Sequence, residues 1–267
     1  MTIYNYFYSL LPMMVLAFIF WLMSVRKQDV SIVDSLWSLL FVAAASFYLW
    51  VLDELSLRAL IIYVLVVIWG VRLSGYITLR HLGQAEDHRY QRIRENNQPG
   101  FAFKSLYLVF ILQAGLAWII SLPLFYAMGS GKPLSVIDYL GIGLWLCGML
   151  FEATADQQLY RFKKRPENKG RLLTSGLWAY SRHPNYFGEF LIWWGFYLLA
   201  LSATDASGAA IAIISPLIMS LLLLRVSGVS LLERSMRLKP GYEDYMQNTS
   251  AFIPWLKKTS QPANRHD

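Results

Sequence analysis

The sequence predicts an all-α membrane protein, a polytopic helical bundle with about seven transmembrane helices. Hydrophobic residues make up 56% of the 267 residues and charged residues only 15%, whereas soluble domains are usually about 45–50% apolar and about 25% charged. The apolar residues also cluster into segments long enough to cross a bilayer, which needs roughly 20 residues. We expect one catalytic bundle over residues 1–256 and a disordered tail over residues 257–267.

Seven apolar segments follow one another along the chain. The second segment is short and carries Asp34 at its edge, so it could be irregular. After the last segment, residues 229–248 predict one more helix, with apolar and charged faces, which lies at the cytoplasmic surface or caps the bundle. The first segment has no Lys or Arg before it, which argues against a cleaved signal peptide. The seven segments cover approximately residues 4–25, 35–52, 58–79, 104–127, 135–157, 184–203 and 208–227.

Basic residues fall almost entirely on one side of these segments. Of the 24 Lys and Arg residues, 21 lie in alternate connections, while the opposite connections carry only Arg58 and Lys132, and Arg72 lies within a segment. The positive-inside rule makes the basic side cytoplasmic. We therefore predict an outside N-terminus, a cytoplasmic C-terminus and an odd number of spans.

The most informative stretch is Ser-Arg-His-Pro-Asn-Tyr-Phe-Gly-Glu at residues 181–189, which leads directly into the sixth apolar segment. Polar and charged side chains at the mouth of a membrane helix are costly and usually functional. Pro184 fits the first position of a helix, where free N–H groups can bind an anion. For His183 alone, capping this helix is as good an interpretation as ligand contact. The candidate cofactor-binding residues of this stretch are Arg182, His183, Asn185, Tyr186 and Glu189.

A second polar surface precedes this stretch. Glu152, Asp156, Tyr160 and Lys163 share one helical face, and two acids near the membrane boundary need a polar cavity or a cationic partner. The loop over residues 161–171 follows and is rich in Lys and Arg. Such a run commonly meets anionic lipid, but it also suits a cofactor that carries phosphates.

Several other chemistries find no support in the sequence. The four histidines show no paired metal spacing, and we predict no metal. A P-loop and a Gly-x-Ser-x-Gly motif are both absent. Cys147 is the single cysteine and lies in an apolar run, which excludes an internal disulfide and argues against a catalytic thiolate.

Residues 173–189 and the later Pro-Gly-Tyr-Glu-Asp-Tyr at residues 240–245 resemble the steroid 5-alpha-reductase C-terminal family. More closely, the chain looks like the bacterial membrane proteins grouped with that family, whose substrates are unassigned, and this resemblance makes a bacterial inner membrane the expected location. The resemblance covers about residues 140–256 and, more weakly, residues 60–95. Sterol C14-reductases and isoprenylcysteine carboxyl methyltransferases share the Arg-His-Pro-x-Tyr-x-Gly core, so that core alone does not decide the cofactor.

The resemblance implies a seven-span bundle that holds NADPH in a cytoplasm-facing cavity. The chain departs from the steroid enzymes at Glu152, where they have an asparagine, and at Gly170, where they have a tyrosine. Their glutamate and tyrosine that polarise the substrate carbonyl have no clear match, so Asp34 and Tyr76 are our catalytic candidates by depth and residue type only. The positions that match cofactor contacts of the family are Asp156, Arg171, Asn185 and Glu189, and Lys163 stands where the steroid enzymes have an arginine. Independently of the resemblance, the polar terminal helix offers Glu233 and Tyr245 as two further cofactor-binding candidates.

The resulting hypothesis is an NADPH-dependent reductase of an activated C=C bond in a steroid-like or isoprenoid-like enone. We expect a lipid-soluble substrate and membrane lipid as partners, and no nucleic acid. The alternative is an S-adenosylmethionine-dependent methyltransferase of a lipidic substrate, and a third interpretation is a lipid-binding or transport protein. The basic loop favours NADPH over S-adenosylmethionine, which has no phosphate.

Overall fold

The computed structural model describes residues 1–226 and 228–256, so the tail predicted over residues 257–267 lies outside the described residues. The described ranges are helical and contain no strand, only an isolated bridge between Ser181 and Ser250. Among the described residues, seven helical stretches are long and apolar enough to cross a membrane, which confirms the predicted all-α bundle of about seven spans. The orientation of the termini stays a prediction. The seven stretches are Ile3–Lys27, Ile32–Trp50, Leu57–His81, Phe101–Ile120, Val136–Lys164, Pro184–Ala203 and Ala206–Met236.

The second span is regular. It forms the helix α3 over Ile32–Trp50, with Asp34 in the first turn, where a negative charge suits the helix dipole. Irregular helix occurs instead in the fourth span, where Leu106–Ile111 is a π-helix, and again at Leu222–Val226. The first eight α-helices of the described residues are α1 Ile3–Tyr8, α2 Leu10–Lys27, α3, α4 Leu57–His81, α5 His88–Asn96, α6 Phe101–Ser105, α7 Leu112–Ile120 and α8 Leu122–Met128.

The remaining helices build the second half of the sequence. Residues 229–248 form two helices rather than the one that the sequence predicted, because the chain turns at Gly241 with a φ of +77°, a conformation that favours glycine. These helices are α9 Val136–Lys164, α10 Pro184–Ala203, α11 Ala206–Ala212, α12 Ile214–Leu221, α13 Val229–Met236 and α14 Tyr242–Asn248.

The chain divides into two compact units. The first unit comprises Met1–Tyr139 and Phe196–Ser215, and the second comprises Leu140–Gly195 and the described residues from Pro216 to Leu256. In the first unit, α3 and α4 pack closely because Gly70 has no side chain: a Cβ there would lie 2.6 Å from Val42 Cγ2. Close approach through small residues is typical of membrane helices.

A buried ion pair lies in the first unit, at the start of α4. Arg58 is 2% exposed and Asp138 is 0% exposed, and Arg58 Nε and Nη2 donate to the two oxygens of Asp138 at 2.9 and 2.8 Å. Ser202 and Ser135 donate to the same carboxylate. The charge pattern of the sequence placed Arg58 in an outer connection, whereas the structure buries it with an acid that hydropathy alone does not pair with it.

Candidate functional site

The second unit holds every predicted cofactor-binding residue. Helix α9 carries Asp156 and Lys163, and the loop after it carries Arg171. Arg182 and His183 form the turn before α10, which itself carries three candidates. Helices α13 and α14 carry Glu233 and Tyr245. Asn185, Tyr186 and Glu189 are the candidates on α10.

Glycines position α9 against α10. A Cβ at Gly188 would lie 2.5 Å from Glu152 N and 2.6 Å from Gly148 O, and a Cβ at Gly195 would lie 2.8 Å from Gly141 O. All three partners are backbone atoms, so a larger residue would force the helices apart. The seven-residue spacing of glycines on both helices was a signal in the sequence that could have predicted this crossing.

This crossing gathers acidic and amide side chains. Asn185 Nδ2 donates to Asp156 Oδ1 at 3.3 Å, which joins α9 and α10 through two predicted residues. Glu152, Asp156 and Glu189 are all buried. Carboxylates buried at a helix crossing in a membrane protein need polar partners and commonly mark a functional cavity.

Arg182 is the centre of a second group of contacts. Its Nε and Nη2 donate to Glu233 Oε1 at 2.8 and 2.6 Å, and its Nη1 donates to the backbone oxygens of Met246 and Thr249. The side chain is buried. Arg182 therefore holds α13 and α14 against the turn that precedes α10, a structural task that the motif alone did not reveal.

His183 lies beside this ion pair and is 5% exposed. Its Nε2 is 3.5 Å from Glu233 Oε1 and makes no hydrogen bond among the described residues. Burial lowers the pKa of His183 to about 4, although the charge of Glu233 opposes the shift. The ring stacks on Tyr186, with parallel planes and centroids 5.7 Å apart. A neutral, buried imidazole with an unsatisfied nitrogen is suited to a ligand contact.

The Tyr245 side chain makes a structural hydrogen bond within the second unit. Its hydroxyl donates to Trp178 O at 2.5 Å, and burial raises its pKa. The segment that it contacts is held on α9, since Leu177 N donates to Gln158 Oε1 and Trp178 Nε1 donates to Ala155 O. These bonds fix the chain before residues 181–189, and the role of Tyr245 in cofactor binding stays a prediction.

The sequence predicted a loop over residues 161–171, but α9 continues through Lys164, so that Lys163 lies in its last turn. Lys163 and Arg171 are both exposed. A groove of 490 Å³ in the first unit and one of 300 Å³ in the second are lined by other residues, none of them a cofactor candidate. The structure thus brings Asn185 together with Asp156, and Arg182 and His183 together with Glu233, and it leaves Lys163 and Arg171 exposed.

The two catalytic candidates belong to the first unit. Asp34 accepts hydrogen bonds from Arg89 Nη2 at 2.6 Å and from the Tyr90 hydroxyl at 2.5 Å. Tyr76 is half-buried on α4, with the Arg80 guanidinium carbon 5.7 Å from its ring centroid. Arg89 and Tyr90 were noticed in the sequence only as part of a charged patch.

That patch, at residues 86–90, fastens a loop to the turn before α3. Glu86 accepts from Val30 N and Arg94, and Asp87 N donates to Ser31 Oγ. Burial raises the pKa of Tyr90 well above its ordinary value, and the nearby charge of Asp34 adds to the shift. The phenol therefore remains a hydrogen-bond donor to Asp34.

Asp34, His81 and Asp87 each place one possible metal-ligating atom within 4.8 Å of the others, a spacing that could hold a metal ion. Arg89 pairs with both carboxylates, at 2.6 Å from Asp34 and 3.0 Å from Asp87. Its guanidinium therefore supplies the positive charge that a bound cation would otherwise bring. We interpret the cluster as an ion-pair network.

A family model described as "Protein of unknown function (DUF1295)" matches residues 20–249. The chain belongs to this family, which is steroid 5-alpha-reductase-like. The match covers the glycine crossing, the turn before α10 and the loop at residues 86–90, so the geometry described above lies within the family's shared region.

Relatives support the same assignment. The chain is 28% identical over 226 residues to an uncharacterised protein of Schizosaccharomyces pombe, covering 74% of this chain and 65% of that protein. It is 37% identical over 73 residues to 3-oxo-5-alpha-steroid 4-dehydrogenase 1 of Homo sapiens, covering 27% of each. The rat protein of that name is 29% identical over 116 residues, 43% of this chain and 40% of its own length. No solved structure matches the chain.

Proposed function

We propose that this protein is a membrane-embedded, NADPH-dependent reductase of an activated C=C bond in a lipidic, enone-like substrate. Family membership and the similarity to 3-oxo-5-alpha-steroid 4-dehydrogenases support a membrane oxidoreductase. The observation that carries the proposal is the hydrogen bond from the partly buried Asn185 to the buried Asp156, at the α9–α10 crossing that also buries Glu152 and Glu189.

The chemistry of this crossing fits a dinucleotide. Carboxylates and an amide can accept from and donate to ribose hydroxyls, as an acidic residue does in other dinucleotide sites. The exposed Lys163 and Arg171 can approach phosphates. His183 Nε2, buried and without a hydrogen bond among the described residues, offers one further polar contact. The same set lies in the unit that contains the basic loop.

NADPH, when bound, supplies a hydride for the β-carbon of the enone. The residues of the chain then have to polarise the carbonyl and deliver a proton to the α-carbon. Asp34 pairs with Arg89 and accepts from Tyr90, and a carboxylate is an acceptor only. We therefore assign hydrogen-bond donation to the substrate carbonyl to Tyr76, and to Asp34 the role of ordering Arg89 and Tyr90.

The predicted orientation places the cofactor at the cytoplasmic face, because the loop over residues 161–171 belongs to the basic side of the chain. A lipid-soluble substrate would reach the protein from the membrane. Location in a bacterial inner membrane remains part of this proposal.

One observation favours a second candidate, an S-adenosylmethionine-dependent methyltransferase. Three acids at the crossing, Glu152, Asp156 and Glu189, are buried, whereas the loop cations are exposed. A site rich in buried carboxylates also suits a cationic cofactor. The two candidates differ in the ligand that stabilises the protein.

The test is a thermal-unfolding series on the protein in mild detergent with NADPH, NADH or S-adenosylmethionine. A ligand that binds only the folded protein raises its stability, by about 2.7 kcal/mol at a concentration 100 times its Kd. We expect NADPH to raise the unfolding midpoint, and to be oxidised when a 3-oxo-4-ene steroid or an isoprenoid enone is added. A shift with S-adenosylmethionine alone would replace the proposal by its alternative.

Variants locate the site. Asn185→Ala should erase the NADPH-induced shift while it leaves the midpoint without ligand nearly unchanged, since Asn185 is only partly buried. Glu189→Gln should weaken the shift because the amide has lost one acceptor. Asn97→Ala, which removes a side-chain bond to Ile93 O in the other unit, is the control and should keep the full shift. A full shift in Asn185→Ala would place the cofactor elsewhere.

A further inference from the structure

Residues 249–256, which we call the C-terminal strap, are fastened through their backbone to the turn before α10. Arg182 N donates to Ser250 O at 2.8 Å, and Trp255 N donates to Tyr180 O at 3.0 Å. Ser181 Oγ donates to Phe252 O at 2.8 Å. Three bonds over this short stretch fix the strap relative to Arg182.

The same serine links the strap to the start of α10. Ser181 is fully buried, and its Oγ accepts from His183 N at 3.1 Å while it donates to the strap. Thr249 O accepts from Arg182 Nη1 at 2.6 Å. A displacement of the strap would therefore break bonds to both Arg182 and Ser181.

The strap has two faces of different character. Phe252 packs on Phe187 and Phe190, with ring centroids 5.8 and 5.5 Å apart. Trp255 and Leu256 are 71% and 76% exposed. They line, together with Tyr180 and Pro254, the 300 Å³ groove of this unit. Exposed apolar side chains of this kind can contact lipid where they lie next to a membrane span.

The membrane depth of this patch follows from its attachments. Tyr180 lies four residues before Pro184, the first residue of a candidate span, and Trp255 is bonded to the backbone of Tyr180. The strap therefore lies at the end of a membrane helix, where Trp and Tyr side chains favour the interface. In the sequence, Lys257 and Lys258 come next, and cations there are attracted to anionic headgroups.

We propose that the strap docks into the headgroup region of an anionic bilayer through Tyr180, Trp255 and Leu256, and that this docking holds the Arg182–His183 turn in place. In this proposal, lipid headgroups and the adjoining acyl chains fill the 300 Å³ groove beside Trp255. The proposal does not depend on the reaction proposed above, because neither a cofactor nor a substrate is needed for the strap to meet lipid.

The first experiment measures lipid contact. In a Cys147→Ala background, which removes the single cysteine, Trp255→Cys is labelled with an environment-sensitive fluorophore and the protein is reconstituted in phosphatidylcholine–phosphatidylglycerol vesicles. Glu243→Cys, an exposed position on α14, is the control. We expect quenching by headgroup-proximal doxyl lipid to be at least about threefold stronger at position 255 than at position 243.

Two results would overturn the lipid contact. Equal doxyl quenching at the two positions would mean that the patch faces water. Quenching at position 255 that is weak in vesicles and changes with protein concentration would mean that a second copy of the chain covers it.

The second experiment measures the coupling. Thr249 is buried, so Thr249→Cys in the Cys147→Ala background should react slowly with a maleimide in vesicles. Adding Trp255→Ala and Leu256→Ala should raise the rate about tenfold, because the strap would open more often. Leu238→Ala, which removes another exposed leucine of this unit, should leave the rate unchanged. An unchanged rate in the Trp255→Ala, Leu256→Ala variant would refute the coupling.

Discussion

Two buried arginines in this protein are paired with acids in different ways. The guanidinium of Arg58 meets both oxygens of Asp138, and serines supply further hydrogen bonds. The guanidinium of Arg182 meets a single oxygen of Glu233. Close to that second pair, the buried His183 Nε2 and Thr249 Oγ1 have no hydrogen-bond partner among the described residues.

This difference separates a structural network from one that can accept a ligand. Buried polar groups are nearly always hydrogen-bonded, so an unsatisfied one needs an explanation. The Arg58 network has its donors and acceptors matched and offers nothing to bind. The Arg182 network holds the fold together and still leaves His183 Nε2, beside Glu233, without a hydrogen bond within the described part of the chain, so it is the better candidate for function.

The largest expected effect comes from breaking the ion pair of the Arg58 network. Arg58→Ala leaves the Asp138 carboxylate buried without its cation, which should cost about 3–5 kcal/mol of stability. Thermal unfolding in detergent measures the loss. The matched control is the double variant Arg58→Met with Asp138→Leu, which removes both charges and should recover most of that stability. A single variant as stable as the parent would show that the pair is not needed.

His183, beside the Arg182 network, should make the stability of the folded protein depend on pH. Its pKa is about 4 in the folded protein because of burial, against an ordinary value of about 6.5 in the unfolded chain. Below about pH 6.5 the unfolded state binds the extra proton, so stability falls as the pH drops, by up to about 3 kcal/mol near pH 4. Unfolding midpoints measured from about pH 7 to about pH 5 should fall in the parent and remain flatter in His183→Gln. Parallel curves would contradict the assignment.

The glycine crossing tests how the candidate site is positioned. Gly188→Ala would bring a Cβ within 2.6 Å of two backbone atoms, and overpacking of this kind costs about 1–3 kcal/mol. It should also weaken the NADPH-induced shift, because Asn185 and Glu189 lie within one turn. Gly143→Ala on α9, where a Cβ meets nothing within 4 Å, should be neutral or slightly stabilising.

Hydropathy was sufficient to predict the membrane helices, because each span needs a long apolar run whatever its neighbours are. The irregularities followed other rules. The break at Gly241 was signalled by the preceding Pro240, but the π-helix over Leu106–Ile111 has no local signal in that apolar stretch. The burial of Arg58 depends on Asp138, 80 residues later, and a hydropathy pattern contains no information on such pairs.

The candidate site was predictable where spacing along one helix determines proximity. Asn185 and Glu189 share a face of α10, as the four-residue spacing requires. The contact of Asn185 with Asp156 needs the glycine crossing, and the contact of Arg182 with Glu233 joins residues 51 apart. Asp34 was singled out with Tyr76, whereas its bonded partners are Arg89 and Tyr90, because depth in the membrane does not specify which side chains meet.

The smallest expected effect is a difference between two amide substitutions, and it tests the comparison directly. Asp138 accepts hydrogen bonds on both oxygens, so Asp138→Asn must turn an NH₂ group toward a donor and leave buried groups unsatisfied. Glu233 accepts both hydrogen bonds from Arg182 on one oxygen, and Glu233→Gln keeps an oxygen that can accept them. Since an unsatisfied buried group costs about 1–3 kcal/mol, Asp138→Asn should lower the unfolding midpoint more than Glu233→Gln does. Equal losses would mean that charge, and not the matching of donors to acceptors, distinguishes the two networks.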